Sequence, residues 1–335
     1  MILKIVKTGF ALASIALFAL LVWLAVSLYS PRAFTPGEVF VEVKKGMGAS
    51  AVGRLLEESG IISSRHSFIM SYRLFYHPRK IGAGEYALTS PLKAKEVLDI
   101  LVKGKVYLHA VTVPEGLTAQ EIAPLIVPFL DGGQDGFMAA FRDVGIIGPI
   151  DREANNLEGY LFPETYSFPK SISSTDAVAA MVGQFRETFS GAWTARAESI
   201  RMSIRQVVIL ASIIEKESSV AEENKLVSAV FHNRLRIGMK LDCDPTIIYA
   251  LKQKGLFNGN LTKKDMSLDS PYNTYRYPGL PPGPICNPGR AALEAALYPA
   301  EEAYLYFVSR NDGAHHFSRT FAEHLNAVRR FQKKR

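Results

Sequence analysis

The segment running from Gln206 to Ser218, QVVILASIIEKES, is apolar up to Ile214 and then places Glu215 and Glu217 two positions apart. At about 100° per residue of helix the two acids point to nearly opposite sides, so they cannot work as a facing pair. Glu217 follows Leu210, Ile213 and Ile214 at offsets of seven, four and three and leaves the end of an apolar stripe, which half desolvates its carboxyl. Glu215 shares its side with Val208, Ala211 and Ser212, a smaller and more polar neighbourhood. Desolvation disfavours the charged form of a carboxyl, and a raised pKa lets a general acid keep its proton near neutral pH. Glu217 is thus the better acid of the two, although two ordinary solvated glutamates at a helix end would read the same way from this segment alone.

A second candidate is the run from Ser270 to Gly289, SPYNTYRYPGLPPGPICNPG, whose prolines remove donors and fix backbone angles, so it is neither helix nor inner strand. Tyr272, Tyr275 and Tyr277, interleaved with Asn273 and Thr274, set flat apolar faces beside hydrogen-bonding groups, the mixture expected where a polar ligand with apolar faces, such as a sugar, is held. A purely structural surface loop is the other reading of the same residues. Asn233 and Arg234 stand at the end of a helix from about Ala221 to Ile237, and Asp244-Pro245-Thr246 opens another helix, with Tyr249 one turn later.

Other chemistries find less support. His315, His316 and His324 lack HExxH or comparable ligand spacing and read as satisfied polar histidines. Ser212 and Ser218 have no nucleophile-elbow setting. Gly46-x-Gly48-x-x-Ala51 imitates a dinucleotide fingerprint but lacks the acidic residue about 20 positions on, which leaves a glycine turn. Cys243 and Cys286 have no zinc spacing; a disulfide or two free thiols are both open. No metal and no cofactor are expected.

The elements around these residues begin with an uncharged apolar run, residues 8–29, long enough at 1.5 Å per residue to cross a bilayer. It is longer than the apolar core of a signal peptide and lacks a small-x-small exit, so it reads as an uncleaved anchor. Lys4 and Lys7 before it place residues 1–7 in the cytoplasm and the rest outside, an asymmetry that Arg32 weakens. Residues 38–108 read as a small mixed module. It has a strand at Val39–Val43, a helix through Val52, Leu55 and Leu56 closed by Gly60, a helical stretch near Ser67–Tyr76, a strand at Gly82–Leu88 and a helix at Ala94–Val102. A second domain, residues 109–335, follows, with Thr118 capping a helix over Ala119–Phe129. Between Asp131 and Asp151 periodicity is weak, and Leu157–Tyr166 suits a shaped loop; helices are expected over Thr175–Phe189 and Ile204–Ser218. The predicted class is α+β, with one transmembrane helix, a small module and a mixed α/β domain.

With 48% hydrophobic and 21% charged residues in 335, the chain is not disordered and buries a real core. The net charge of +7 gathers partly at the ends, and no Lys/Arg stripe interleaved with aromatics marks a nucleic-acid surface.

Taken in order, Ala211-Ser-Ile-Ile-Glu-Lys-Glu-Ser218, Asn233-Arg-Leu235, Asp244-Pro-Thr246, Tyr272-Asn-Thr-Tyr275, Gly279-Leu-Pro-Pro-Gly283 and Tyr304-Leu-Tyr-Phe-Val308 resemble the YceG-like family of endolytic murein transglycosylases. The resemblance implies a bitopic inner-membrane protein with a LysM-like module, here 38–108, and an extracytoplasmic catalytic domain. It also implies that the second glutamate of Glu-Lys-Glu, Glu217, is catalytic. By motif, Glu158, Asn233, Asp244, Thr246, Tyr272, Asn273 and Tyr275 would line the glycan cleft, with His315 nearby. Peptidoglycan strands would be the substrate, and wall synthases, elongation or division proteins are possible partners. Asp242 stands where the family has glutamine, Cys243 at a small polar position, and Tyr160 and Glu164 in place of Phe and Asp. The chemistry expected is cleavage after N-acetylmuramic acid with a 1,6-anhydro product, which limits nascent strands. The rivals are a muramidase using Asp242 or Asp244 as second carboxylate and a non-enzymatic wall-binding scaffold.

Overall fold

The structure, a computed structural model, describes residues 2–218 and 220–332, with side chains from residue 7 onward. The side chain of Lys4 and the basic tail Lys333, Lys334 and Arg335 lie outside the described residues. The chain divides into two compact units, Met1–His109 with Ser167–Ser171, and Ala110–Tyr166 with Ile172–Arg335.

The first unit starts with α1 (Ile2–Tyr29), of which Lys7–Tyr29 is long and apolar enough to cross a membrane. Side chains such as Phe10, Leu12 and Phe18 are exposed, whereas Leu24 and Leu28 near its end join the core of the unit. Strand β1 (Glu38–Val43) buries Val41 and Val43 at alternate positions, as the pleat demands, and pairs antiparallel with β2 (Gly84–Thr89) in the register Val41↔Tyr86. Helix α2 (Ala49–Glu58) packs Val52 and Leu56 inward. It ends where Gly60 takes a positive φ of 72°: Gly60 N–H donates to Glu57 O and Ile61 N–H to Leu56 O, a closure that favours glycine. Helix α3 (Arg65–Ser71), capped by Ser64, continues as one π-helical turn over Tyr72–Tyr76, and α4 (Ala94–Val102) supplies Val97, Leu98 and Leu101 to the core.

Strands β3 (Leu108–Thr112) and β4 (Thr165–Pro169) form a second two-stranded sheet. The second unit is mainly helical: α5 (Ala119–Ile126), α6 (Gly133–Arg142), α7 (Ser174–Thr188), α8 (Gly191–Ser199), α9 (Ile204–Glu217), α10 (Asn224–Arg236), α11 (Asp244–Gln253), α12 (Arg290–Leu297), then the hairpin of β5 (Tyr306–Ser309) with β6 (His315–Ser318), and α13 (Phe321–Phe331). Thr118 caps α5 in a capping box with Glu121, as expected, but the α-helix stops at Ile126 and a 3-10 turn completes the segment to Phe129.

Helix α9 is the centre of this unit, packed by α8, α10, α11 and α12. Every residue from Val207 to Ile214 is buried, so its middle is enclosed all round rather than striped, and only its two end turns emerge. Helices α6 and α8 were not anticipated: glycines at 132, 133 and 136 mask the periodicity of α6, yet Phe137 and Phe141 meet the core at helical spacing, as Trp193 and Ala197 do in α8. The proline-rich run is irregular as expected but is not a surface loop, since Asn273, Thr274, Cys286 and Asn287 are almost wholly buried. Ile285 N–H donates to Ser212 Oγ at 3.0 Å, fastening that loop to α9. Both cysteines are buried and free.

Candidate functional site

Where α9 runs out of apolar neighbours, Glu217 faces a cavity of about 350 Å³. Its floor and walls come from Arg234 on α10, the turn at Leu241 and Asp242, Asp244 opening α11, Tyr275 of the proline-rich loop, Tyr306 and Phe307 of β5, and Phe321 and His324 of α13. Burial pushes the Glu217 carboxyl up to about 7, and the Asp244 charge adds to this; the Cys243 thiol, which hydrogen-bonds to it, and the Arg234 charge oppose it. Glu217 is nevertheless partly exposed. A proton held at neutral pH on an accessible carboxyl is what a general acid needs.

The neighbours are fixed by hydrogen bonds that reach back into the fold. Tyr275 donates its hydroxyl to Asp244 Oδ1 at 2.7 Å. Asn273 holds the turn that presents Tyr275: its amide donates to Met266 O and Leu268 O, and its Oδ1 accepts from Tyr275 N–H at 3.0 Å. Thr246 donates to Cys243 O at 2.7 Å and meets Thr274 at 3.0 Å, which fixes the start of α11 and hence Asp244. The Arg234 guanidinium donates to Leu305 O and Leu241 O, lies 3.6 Å from the Asp242 carboxylate and sits 5.3 Å over the Tyr306 ring. Asp242 carries a positive φ of 50°, uncommon for a residue with a Cβ; its pKa is raised by burial, against the pull of Arg234 and Lys240.

Of the residues named from sequence, Glu217, Asp244 and Tyr275 meet in this cavity, and Thr246 and Asn273 brace it from behind. The others are not brought to it. Glu158 is 3% exposed; its Oε1 accepts from Ala119 N–H at 3.0 Å and Asn287 Nδ2 at 2.8 Å, tying the start of α5 to the proline-rich loop. Asn233 donates to Glu302 O and Tyr304 O and shapes the approach to β5. Tyr272 packs its ring 5.0 Å from that of Tyr249. His315 shares a 2.7 Å contact with Glu223. Glu215 differs from its expected polar setting: burial raises its pKa too, and its Oε2 accepts from Gly289 N–H at 3.0 Å, which anchors the start of α12. Sequence reasoning noted Arg234 only as a polar end of its helix, now α10, and passed over Tyr306, Phe321 and His324 as site members; the spacing of these three along the chain carries no signal, because the β-hairpin and α13 bring them in from far away.

A larger groove, about 1080 Å³ and lined by Arg196, His232, Asn233, Arg236 and Leu280 among others, does not include Glu217. Chemistry, not size, favours the smaller cavity: it alone of the two holds a carboxyl poised near 7. Among the described residues no group of His, Cys, Asp and Glu has a metal-binding arrangement.

The profile of the YceG-like family matches residues 41–330. An endolytic murein transglycosylase of Bacillus subtilis (strain 168) is 30% identical over 309 residues, 88% of this chain and 84% of its own length. One from Streptococcus pneumoniae serotype 2 is 29% identical over 328 residues, and the match covers 86% of this chain and 59% of that relative. The crystal structure of a YceG-like protein from Listeria monocytogenes, 30% identical, superposes with a TM-score of 0.59 over 87% of this chain and 99% of the other.

Proposed function

The chain belongs to the YceG-like family, and on that premise we propose that it is an endolytic murein transglycosylase that cuts the β-1,4 bond after N-acetylmuramic acid within peptidoglycan strands, with Glu217 as its acid. As an enzyme it is a lytic transglycosylase, a carbon–oxygen lyase acting on a polysaccharide. The observation that carries the mechanism is an accessible carboxyl held up to about 7 in a cavity wide enough for part of a sugar chain.

Glu217 gives its proton to the glycosidic oxygen as the bond to C1 breaks, and the departing sugar leaves with a free hydroxyl. The positive charge that develops at C1 is met by the carboxylate of Asp244, which Tyr275 holds in place. Glu217, now anionic, takes the proton from the muramic 6-hydroxyl, whose oxygen closes on C1. The proton ledger returns to its start, no water enters, and one acid/base residue suffices where hydrolysing glycosidases use two carboxylates. Asp242 and Asp244 line the same cavity, so the hydrolytic alternative has a specific footing. Mass spectrometry of products from glycan strands decides between them: 1,6-anhydro ends are lighter by one water than the reducing ends of hydrolysis. Reducing ends alone would overturn the transglycosylase reading, and binding without any product would point to a scaffold.

Glu158, Asn233, Tyr272 and His315 then act by holding the fold around the cleft rather than by touching the reacting sugar, while Asp244, Tyr275, Thr246 and Asn273 form or brace it. The apolar helix over 8–29 serves as a single-pass anchor in the cytoplasmic membrane, with residues 1–7 inside and residues 38–108, a LysM-like module, outside with the catalytic domain 109–335. Tethering an endolytic cutter at the membrane suits it to nascent strands and to limiting their length, and puts synthases and elongation or division proteins within reach as partners.

A further inference from the structure

Helix α13 brings to the Glu217 cavity a ring that the cleavage steps leave unused. Thr320 caps the helix in a capping box with Glu323, which fixes its first turn; Phe321 and His324, three residues apart, therefore project to one side, and both line the cavity. The His324 ring stacks on Tyr306 of β5 with centroids 5.2 Å apart and planes 25° from parallel, and lies 6.3 Å from Phe321. Phe321 is 57% exposed, a large flat apolar face at the cavity's edge.

His324 Nδ1 is buried and has no hydrogen-bond partner among the described residues. Of the two neutral tautomers, the one with its proton on Nε2 leaves a lone pair rather than a trapped N–H at the buried position, and it turns the donor to the ring's other edge. Burial, and then the Arg234 charge, hold the imidazole below the ordinary histidine range, so at neutral pH it stays uncharged. An uncharged N–H beside flat apolar rings complements an acetamido group: a planar unit with one carbonyl oxygen to accept and one methyl to bury.

We propose that His324, Phe321 and Tyr306 form a subsite for the N-acetyl group of a sugar beside the scissile bond, with Nε2–H donating to the acetyl oxygen and the methyl lying against Phe321. The proposal rests on the reading of Glu217 as the acid of a glycan-cleaving site. Every glycan unit of the substrate carries an acetamido group, so the subsite would set the strand's register against Glu217 and disfavour strands that have lost the acetyl.

Calorimetry on full-length Glu217→Gln protein in detergent tests it, since the bound strand is not consumed. The probes are a peptidoglycan tetrasaccharide and the same tetrasaccharide after N-deacetylation. His324→Ala should weaken the acetylated ligand about tenfold and leave the deacetylated one unchanged, and His324→Gln, which keeps an N–H donor, should recover part of the loss. Equal weakening of both ligands, or of neither, would overturn the subsite. If neither ligand binds even with His324 in place, the glycan-cleaving reading fails, and the subsite with it.

Discussion

Glu217 and Glu158 are both carboxyls whose protons burial retains near neutrality, Glu217 up to about 7 and Glu158 up to about 8, yet they sit in opposite circumstances. Glu158 is enclosed, and two donors from the fold, the Ala119 N–H and the Asn287 amide, already occupy one of its oxygens. Glu217 stands at the open end of a buried helix and faces a cavity bounded by Asp244, Tyr275 and Arg234. A raised pKa is thus no mark of a catalytic acid by itself; it becomes one when the proton can reach a ligand. Glu215 makes the same point from the same helix, with a raised pKa spent on anchoring the start of α12.

The widest gap between the two regions should appear in activity. Glu217→Gln is expected to lower cleavage by about 10³-fold or more with the fold intact, whereas Glu158→Gln, which keeps an oxygen for Ala119 and Asn287, should cleave at the wild-type order of rate. Product release from glycan strands, with circular dichroism as the check on folding, reads both. Comparable losses in the two variants would erase the distinction.

Stability should reverse the ranking. Glu158→Ala strands the Ala119 N–H and the Asn287 amide in a dry interior and should cost about 2–3 kcal/mol in urea unfolding. For Glu217→Gln the sign follows from linkage. A carboxyl whose folded pKa is raised contributes its full stability below the unfolded value and loses it as pH rises through about 7. Glutamine cannot ionise, so the variant should gain on the wild type as pH rises from about 4.5 to about 7 and keep that gain above it, on the order of 2–3 kcal/mol, seen as melting curves that diverge across that window and run parallel beyond it. The smallest effect probes the cavity's own field: Asp244→Asn removes a charge that helps Glu217 keep its proton, so the alkaline limb of kcat/KM should move to lower pH by less than about one unit. An unmoved limb would mean that burial alone sets the value.

Local pattern made much of this legible. The apolar run of α1, the alternation of β1, the cap at Thr118 and the position of Glu217 beyond Ile214 all follow from spacing of two or of three and four residues. Helix α6 escaped because glycines at its start blur that spacing. The contrast between Glu217 and Glu158 was not legible, because what encloses Glu158 is Asn287, 129 residues away, and what opens the space beside Glu217 is assembled from α10, α11, β5 and α13. Motif order grouped Glu158, Asn233, Tyr272 and His315 with the cavity residues, but motif order records which residues belong together in sequence, not which share a surface.

The account turns on one proton residing on Glu217 at neutral pH, and carbon-13 NMR of protein labelled at the glutamate carboxyls observes it directly. Subtracting the Glu217→Gln spectrum from that of the wild type isolates a single resonance. Its midpoint is expected near 7 and should respond to bound glycan. A midpoint at the ordinary glutamate value near 4.5, indifferent to glycan, would contradict the claim.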